Sequence, residues 1–214
     1  PYETYPAPTK IPGAALEFDL NKIGKAKRDS LDISNGLSVV EFENGVHFNN
    51  YIHATKQVGY FGFENINEEI IPELIIPNYN TGKEGNEGNS VSGQSLERLG
   101  YKQGNIKKAP SSIRYLQPTW NGGYYEVLVQ WYRFPGKKII GEWTISNNQP
   151  AVLPVLNTMQ KEPTSWPSHL AWWNDYWKRS SVSIPDSILE RQYYLDMYGY
   201  GDYVFLDKGV EGIK

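Results

Sequence analysis

Cysteine is absent from all 214 residues, which excludes disulfide bonds and thiolate metal sites. Histidine is scarce. His47, His53 and His169 are the full set, and none falls in an H-x-x-H or H-E-x-x-H arrangement, so no zinc site is expected. No apolar run approaches the roughly 18 residues that a membrane-spanning helix needs. Basic charge does not dominate. With 21 Lys and Arg against 24 Asp and Glu the net charge is −3, no basic stripe is visible, and nucleic acid is not expected as a partner. The chain also lacks a G-x-S-x-G elbow, a P-loop and a glycine-rich dinucleotide turn after a strand, so serine-hydrolase chemistry and nucleotide cofactors have no support. No cofactor is expected. The first residues, PYETYPAPTK, contain no Met, basic n-region or apolar h-region, a start that a removed signal peptide or a cut from a longer chain would both give.

What the chain does hold is aromatic side chains, 14% of all residues and 16 of them Tyr. Flat rings of this kind stack on sugars or fill β-sandwich cores, and abundance does not separate the two. The length suits one large domain, or one and a fraction.

For some 150 residues the pattern is that of strands. Residues 1–13 read as a proline-rich arm. Ala15–Leu20 alternates apolar and polar, as does Leu31–Ile33. Leu37–Phe42 and Val46–Phe48 flank Asn44-Gly45, a hairpin signal in which both central residues take positive φ. Lys22–Arg28 reads as a solvated basic loop. Tyr51–Thr55, Val58–Phe63 and Leu74–Ile76 are further strands, with Gly62 marking a bulge or a close backbone approach. The glycine-rich stretch 81–95 is too polar to pack and reads as a surface loop. Ser112–Leu116, Tyr124–Phe134 and Lys138–Ser146 complete the strands. Tyr125, Val127, Val129 and Trp131 alternate with a second set that is itself half apolar, which predicts a strand covered on both faces. Trp131 and Trp143 are expected in the core.

After Asn147 the chain becomes proline-spaced, then the period changes. Four of the seven tryptophans lie between Trp166 and Trp177. Ser168 is placed as an N-cap. Leu170, Trp173 and Trp177 share one helical face, widened by Trp172 and Tyr176. Ser181–Ile184 reads as extended. Ser187 to Glu190 fits a capping box that opens a second helix, with Leu189, Tyr193 and Met197 on one face and Gly199 and Gly201 as its stop. So many rings left in water would be a liability, so Trp172, Trp173 and Trp177 are assigned to interdomain packing. The fold class is therefore mainly β: an antiparallel β-sandwich over residues 1–150, a Trp-rich helical segment over 151–201, and an unassigned tail over 202–214.

Three stretches carry a family likeness: HLAWWNDYWKRSSVSIPDSILERQYYLDMY (His169–Tyr198), PTWNGGYYEVLVQW (Pro118–Trp131) and SLDISNGLSVVEFENGVHF (Ser30–Phe48). In them the chain resembles glycoside hydrolase family 95 proteins of Bacteroidota. The first stretch is the most specific. The resemblance implies an N-terminal super-sandwich, a helical linker, and then an (α/α)6 barrel that carries the catalytic groups. Inverting hydrolysis of terminal α-fucosyl or galactosyl residues would follow, using a carboxylic acid and a group that activates water. It also implies a periplasmic, cell-surface or secreted location, a glycan ligand or substrate, and a helical catalytic domain as partner. Leu189–Tyr198 would match only the first barrel helix. No position matches the family's acid or base motif, so no catalytic residue is assigned. A stand-alone carbohydrate-binding or scaffold module is the alternative.

Among candidate sites, Trp120 beside the Asn-Gly-Gly turn, with Asn121 and Tyr124, is the carbohydrate-binding assignment: a ring that can stack on a sugar face with an amide beside it. Glu17 and Asp19 stand about 7 Å apart on one strand face, a separation an inverting pair could use, but the pattern equally marks a solvated face. Asp29, Asp32 and Asn35 are spaced loosely like calcium ligands without completing the loop. His47 and His53 are placed at opposite ends of a turn in a structural or solvated role.

Overall fold

The computed structural model describes residues 13–79, 96–97, 100–153 and 165–210, with side chains to residue 201. The expected N-terminal arm and the glycine-rich loop 81–95 lie outside these residues except at Gly13, as does most of the proline-spaced connector. The described chain is mainly β and antiparallel. Its strands are β1 (Ala15–Glu17), β2 (Ala26–Asp32), β3 (Leu37–Phe42), β4 (His47–Ile52), β5 (Gly59–Glu64), β6 (Glu73–Ile75), β7 (Asn105–Ala109), β8 (Ser112–Pro118), β9 (Tyr124–Phe134) and β10 (Lys138–Asn147). Two helices follow, α1 (Trp166–Ser180) and α2 (Ser187–Val210).

Eight strands form one sheet in the order β2-β3-β4-β5-β10-β9-β8-β7, and β1 pairs with β6 in a separate ribbon. The ribbon lies over one face of the large sheet, here called the inner face. Its own Leu16 and Leu74, with Phe18 and Ile70, meet Phe61, Phe63, Val127, Val129 and Trp131 there. Phe18 sits 5.0 Å from the Phe61 ring and 5.4 Å from that of Phe63. Two glycines make this layer possible. Gly59 stands opposite Trp143 and Gly141 opposite Phe61 in the strand register, and a Cβ on either would enter the partner's ring. The rings thus lie flat across neighbouring backbone, which only glycine permits.

The outer face carries Tyr51, Tyr60, Ile140 and Phe134 in one cluster and Leu128, Ala151 and Leu153 in another. Strand β9 contributes to both faces, which is why its second residue set is half apolar.

Several local expectations change. Val46–Phe48 and Tyr51–Thr55 are one strand, β4, so His47 and His53 lie at the start and just past the end of a strand, not across a turn. Only Gly45 (φ 83°) takes positive φ in the β3–β4 hairpin. Gly45 N–H donates to Phe42 O, Phe42 N–H to Val46 O, and Val46 N–H to Asn44 Oδ1. That is a three-residue loop, in which one residue alone needs the left-handed region. Part of the supposed basic loop belongs to β2, where Ala26–Asp29 are exposed on an edge strand. At Gly62 there is no bulge, since β5 keeps register with β4 through it. Residues 181–184 form no strand.

Helix α1 starts earlier than expected. Ser165 is its N-cap residue and Pro167 stands in the first turn, where a missing N–H costs nothing. Asp186, not Ser187, caps α2: its Oδ1 accepts from Ile188 N–H (2.9 Å) and Leu189 N–H (3.2 Å). Glu190 Oε1 accepts from Ile184 N–H at 3.2 Å. Gly199 and Gly201 do not stop α2, whose backbone continues helically to Val210. Gly201 is a packing glycine, since a Cβ there would come within 3.2 Å of the Tyr176 ring and 3.4 Å of that of Trp173.

Candidate functional site

The sequence places chemistry at Trp120, Asn121 and Tyr124. Trp120–Gly122 forms a single 3-10 turn between β8 and β9. Asn121 takes φ 56° within it, a left-handed conformation that asparagine tolerates better than most residues. Trp120 is 52% exposed. The turn is braced from the next hairpin, where Asn148 Oδ1 accepts from Tyr124 N–H at 2.9 Å and Asn148 N–H donates to Tyr124 O at 2.8 Å. The three residues are therefore adjacent on a fixed turn with an open ring.

Glu17 and Asp19 are both exposed, and β1 ends at Glu17, so they do not share a strand face. Asp19 Oδ1 caps Asn21 N–H at 3.0 Å. Asp32 and Asn35 build a turn: Asp32 Oδ1 accepts from Ser34 N–H and Oδ2 from Asn35 Nδ2, both at 2.9 Å. No cluster of three or more metal-ligating acidic or histidine side chains occurs among the described residues.

The aromatic helix residues assemble differently. Trp172, Trp173 and Trp177 join Tyr176, Met197 and Tyr198 around Ala54 of the β4–β5 turn. Trp173 stacks on Tyr198 at 5.3 Å and on Trp177 at 6.1 Å. Trp177 Nε1 donates to Ile33 O at 3.2 Å. These rings fasten α1 and α2 to each other and to the end of the sheet. Burying each such ring contributes about 2–3 kcal/mol by area.

Beneath them sits a polar clasp that periodicity does not reveal. His53 Nδ1 accepts from the backbone N–H groups of Thr55 (3.0 Å) and Lys56 (3.1 Å). Its Nε2 therefore carries the proton and donates to Ser168 Oγ at 2.9 Å. Ser168 Oγ in turn donates to Ser165 O at 2.9 Å. His169 repeats the scheme from the helix side: Nδ1 accepts from Ala54 N–H at 3.1 Å, and Nε2 donates to Asn35 O at 2.5 Å. Tyr51 and Ser165 hydroxyls meet at 3.1 Å, and Trp166 stacks on the His169 ring at 5.2 Å. Each imidazole thus has one nitrogen committed as acceptor and one as donor, which is the neutral form.

Both histidines resist protonation. His53 is pushed down to about 4, first by burial, then by the nearby Lys56 ammonium and by His169, against a smaller opposing hydrogen bond with Ser165. Burial also lowers His169, partly offset by its bond to Asn35. The unfolded chain takes up protons from about pH 6.5 downward while the folded chain does not. Stability from this source is complete above that pH and is lost as pH falls below it, for His53 down to about 4, at up to about 1.4 kcal/mol per unit for each histidine. We expect the urea midpoint of unfolding to fall between pH 7 and 5, and the fall to be shallower in His53→Asn, whose baseline is lower. Equal slopes in the two proteins would rule out this origin.

The outer face also buries two carboxylates with opposite fates. Glu126 is satisfied: Arg114 Nη1 lies 2.8 Å from its Oε2, and Ala151 N–H donates to the same oxygen at 2.6 Å. Glu142 is 1% exposed and neither oxygen has a hydrogen-bond partner. It lies in one cross-strand row with Tyr60 and Gln130. Burial raises its pKa, with Lys56 opposing. A carboxyl sealed this way, with no hydrogen-bond partner, is out of reach of a substrate. The signal for it was in the sequence as one acidic residue inside the otherwise uncharged run Ile139–Ile145, at a position that faces a covered side.

No protein-family model matches the chain, and neither does any curated protein.

Proposed function

We propose that this chain is the non-catalytic sandwich domain of a glycoside hydrolase acting on terminal α-fucosyl or galactosyl residues, with inverting hydrolysis carried out by a helical barrel. The family likeness of the three sequence stretches motivates the reading. The structural observation that supports it best is the outward side of α2. With one side of that helix against α1, the remainder leaves Ile188 (78% exposed), Leu189 (59%), Leu195 (43%) and Tyr200 (64%) open. Ile188, Gln192, Leu195 and Gly199 recur at helical spacing opposite the packed side. A helix so seated suits further helices laid against it. The carboxylates add support, since the buried pair consists of one neutralised by Arg114 and one without access to solvent.

The test uses the chain alone with nitrophenyl α-L-fucoside and nitrophenyl galactosides. No nitrophenol release is expected. Release that Glu142→Gln or Glu126→Gln abolishes would overturn the non-catalytic assignment. Reading the coding sequence beyond residue 214 for a helical barrel tests the other half.

The stand-alone carbohydrate-binding reading draws on one observation, the open Trp120 ring on its braced turn. It predicts that Trp120→Ala loses affinity for fucosylated or galactosylated glycans while the melting temperature stays unchanged.

A further inference from the structure

A groove of about 400 Å³ opens where the inner face of β2, β3 and β4 meets the two helices. Its floor is a cross-strand row. Leu31 pairs with Ser38, and Ser38 with Asn50, so the three side chains stand on one face. The same row runs on through Phe61 into the core under the ribbon. No described residue of the ribbon lines the groove, so the row leaves the sandwich interior and becomes a surface. Ile52, 63% exposed, extends the floor along β4. Trp172 and Tyr198 form the helical wall, with the buried Trp173 behind.

The chemistry of this lining is specific. None of the described lining residues carries a formal charge at neutral pH, His53 included, because it is held in its neutral form. An anion or a cation would lose its hydration there and find no counter-charge. A purely apolar ligand would leave the Asn50 amide and the Ser38 hydroxyl unpaired. A ligand with an apolar face and a rim of neutral hydroxyls satisfies both walls. The volume falls in the range of small-molecule sites.

We infer that this groove is a binding site for a neutral pyranose, with Asn50 and Ser38 hydrogen-bonding its hydroxyls and the Trp172–Tyr198 wall taking its apolar face. The inference rests on the carbohydrate reading above for the ligand class, but on a different surface from Trp120.

The experiment is done on Trp120→Ala protein, so that the turn contributes nothing. L-Fucose, D-galactose and D-glucose are titrated while tryptophan fluorescence and amide chemical shifts are followed, with inorganic phosphate and acetate as charged probes. At least one sugar is expected to saturate with Kd on the order of 1 mM, as suits a ligand of about a dozen heavy atoms. Asn50→Ala is expected to weaken it at least tenfold. Leu31→Lys, at a site already half exposed, is expected to do the same without touching the core. Saturation untouched by both variants, saturation by phosphate or acetate but no sugar, or no saturation at all would each overturn the site. Failure of the groove with sugar binding retained in Trp120-intact protein would leave the carbohydrate reading standing. Hydrolysis by the chain would overturn the non-catalytic assignment and leave the groove.

Discussion

Glu142→Gln is expected to stabilise the chain at neutral and alkaline pH while changing little below about pH 4.5. The carboxyl is buried without a hydrogen-bond partner, and burial raises its pKa above 4.5. Above that value the unfolded chain has released this proton and the folded chain has not. Stability therefore falls as pH rises through the window between the two values, by up to about 1.4 kcal/mol per pH unit. Glutamine keeps the shape and does not titrate, so the difference between the proteins grows with pH. Urea midpoints at a series of pH values from 4 to 9 measure it. A flat difference would show that folding does not raise the Glu142 pKa, and one that favours the parent protein at high pH would show that Glu142 is ionised against a cation; either overturns the expectation. The direction is opposite to that of the histidine clasp, so the two are separable by pH alone.

Trp173→Ala should be the most damaging of the aromatic substitutions, costing about 3–5 kcal/mol by the usual behaviour of large rings removed from a core. Trp173 is 3% exposed and lies between Tyr198, Trp177, Tyr176 and Ala54. Its removal opens a void where α1, α2 and the β4–β5 turn meet. Denaturant unfolding gives the magnitude. Hydrogen exchange adds the location, since α1 and α2 amides should lose protection while those of β9 and β10 keep most of theirs. A loss below about 1 kcal/mol, or uniform deprotection, would show that the helices are not fastened through this ring.

The sheet was legible in the sequence wherever one face is wet and the other dry, because alternation is then enforced by burial. Strand β9 could be bounded to the residue, and its double coverage was visible in its mixed second set. Strand β7 was not. Asn105–Ala109 is exposed along its length, so neither side chain set is selected for apolarity and no period survives. The helix ends were misplaced because tertiary partners decide them: Ser165 stands at the N-cap of α1 with its hydroxyl turned to Tyr51 and no side-chain capping bond, and Asp186 precedes the serine that looked like the cap. Gly201 read as a stop because its helical penalty is local, while its advantage, room for Tyr176 and Trp173, is tertiary. The clasp was the least legible feature. His53 finds its partners 115 and 116 positions further on, at Ser168 and His169, and spacing rules reach only across one helix or one turn.

The large sheet is open at both ends, since β2 and β7 each have a neighbour on one side only among the described residues. Such borders invite a strand from another molecule. Here they carry Lys27, Arg28 and Asp29 on one side and Lys107 and Lys108 on the other, all exposed. A second copy aligned border to border in register at β7 would set lysine against lysine in a forming ladder, at a cost that rises with every added molecule. Fibrous growth is thereby discouraged by the rim of the sheet, independently of anything its faces bind.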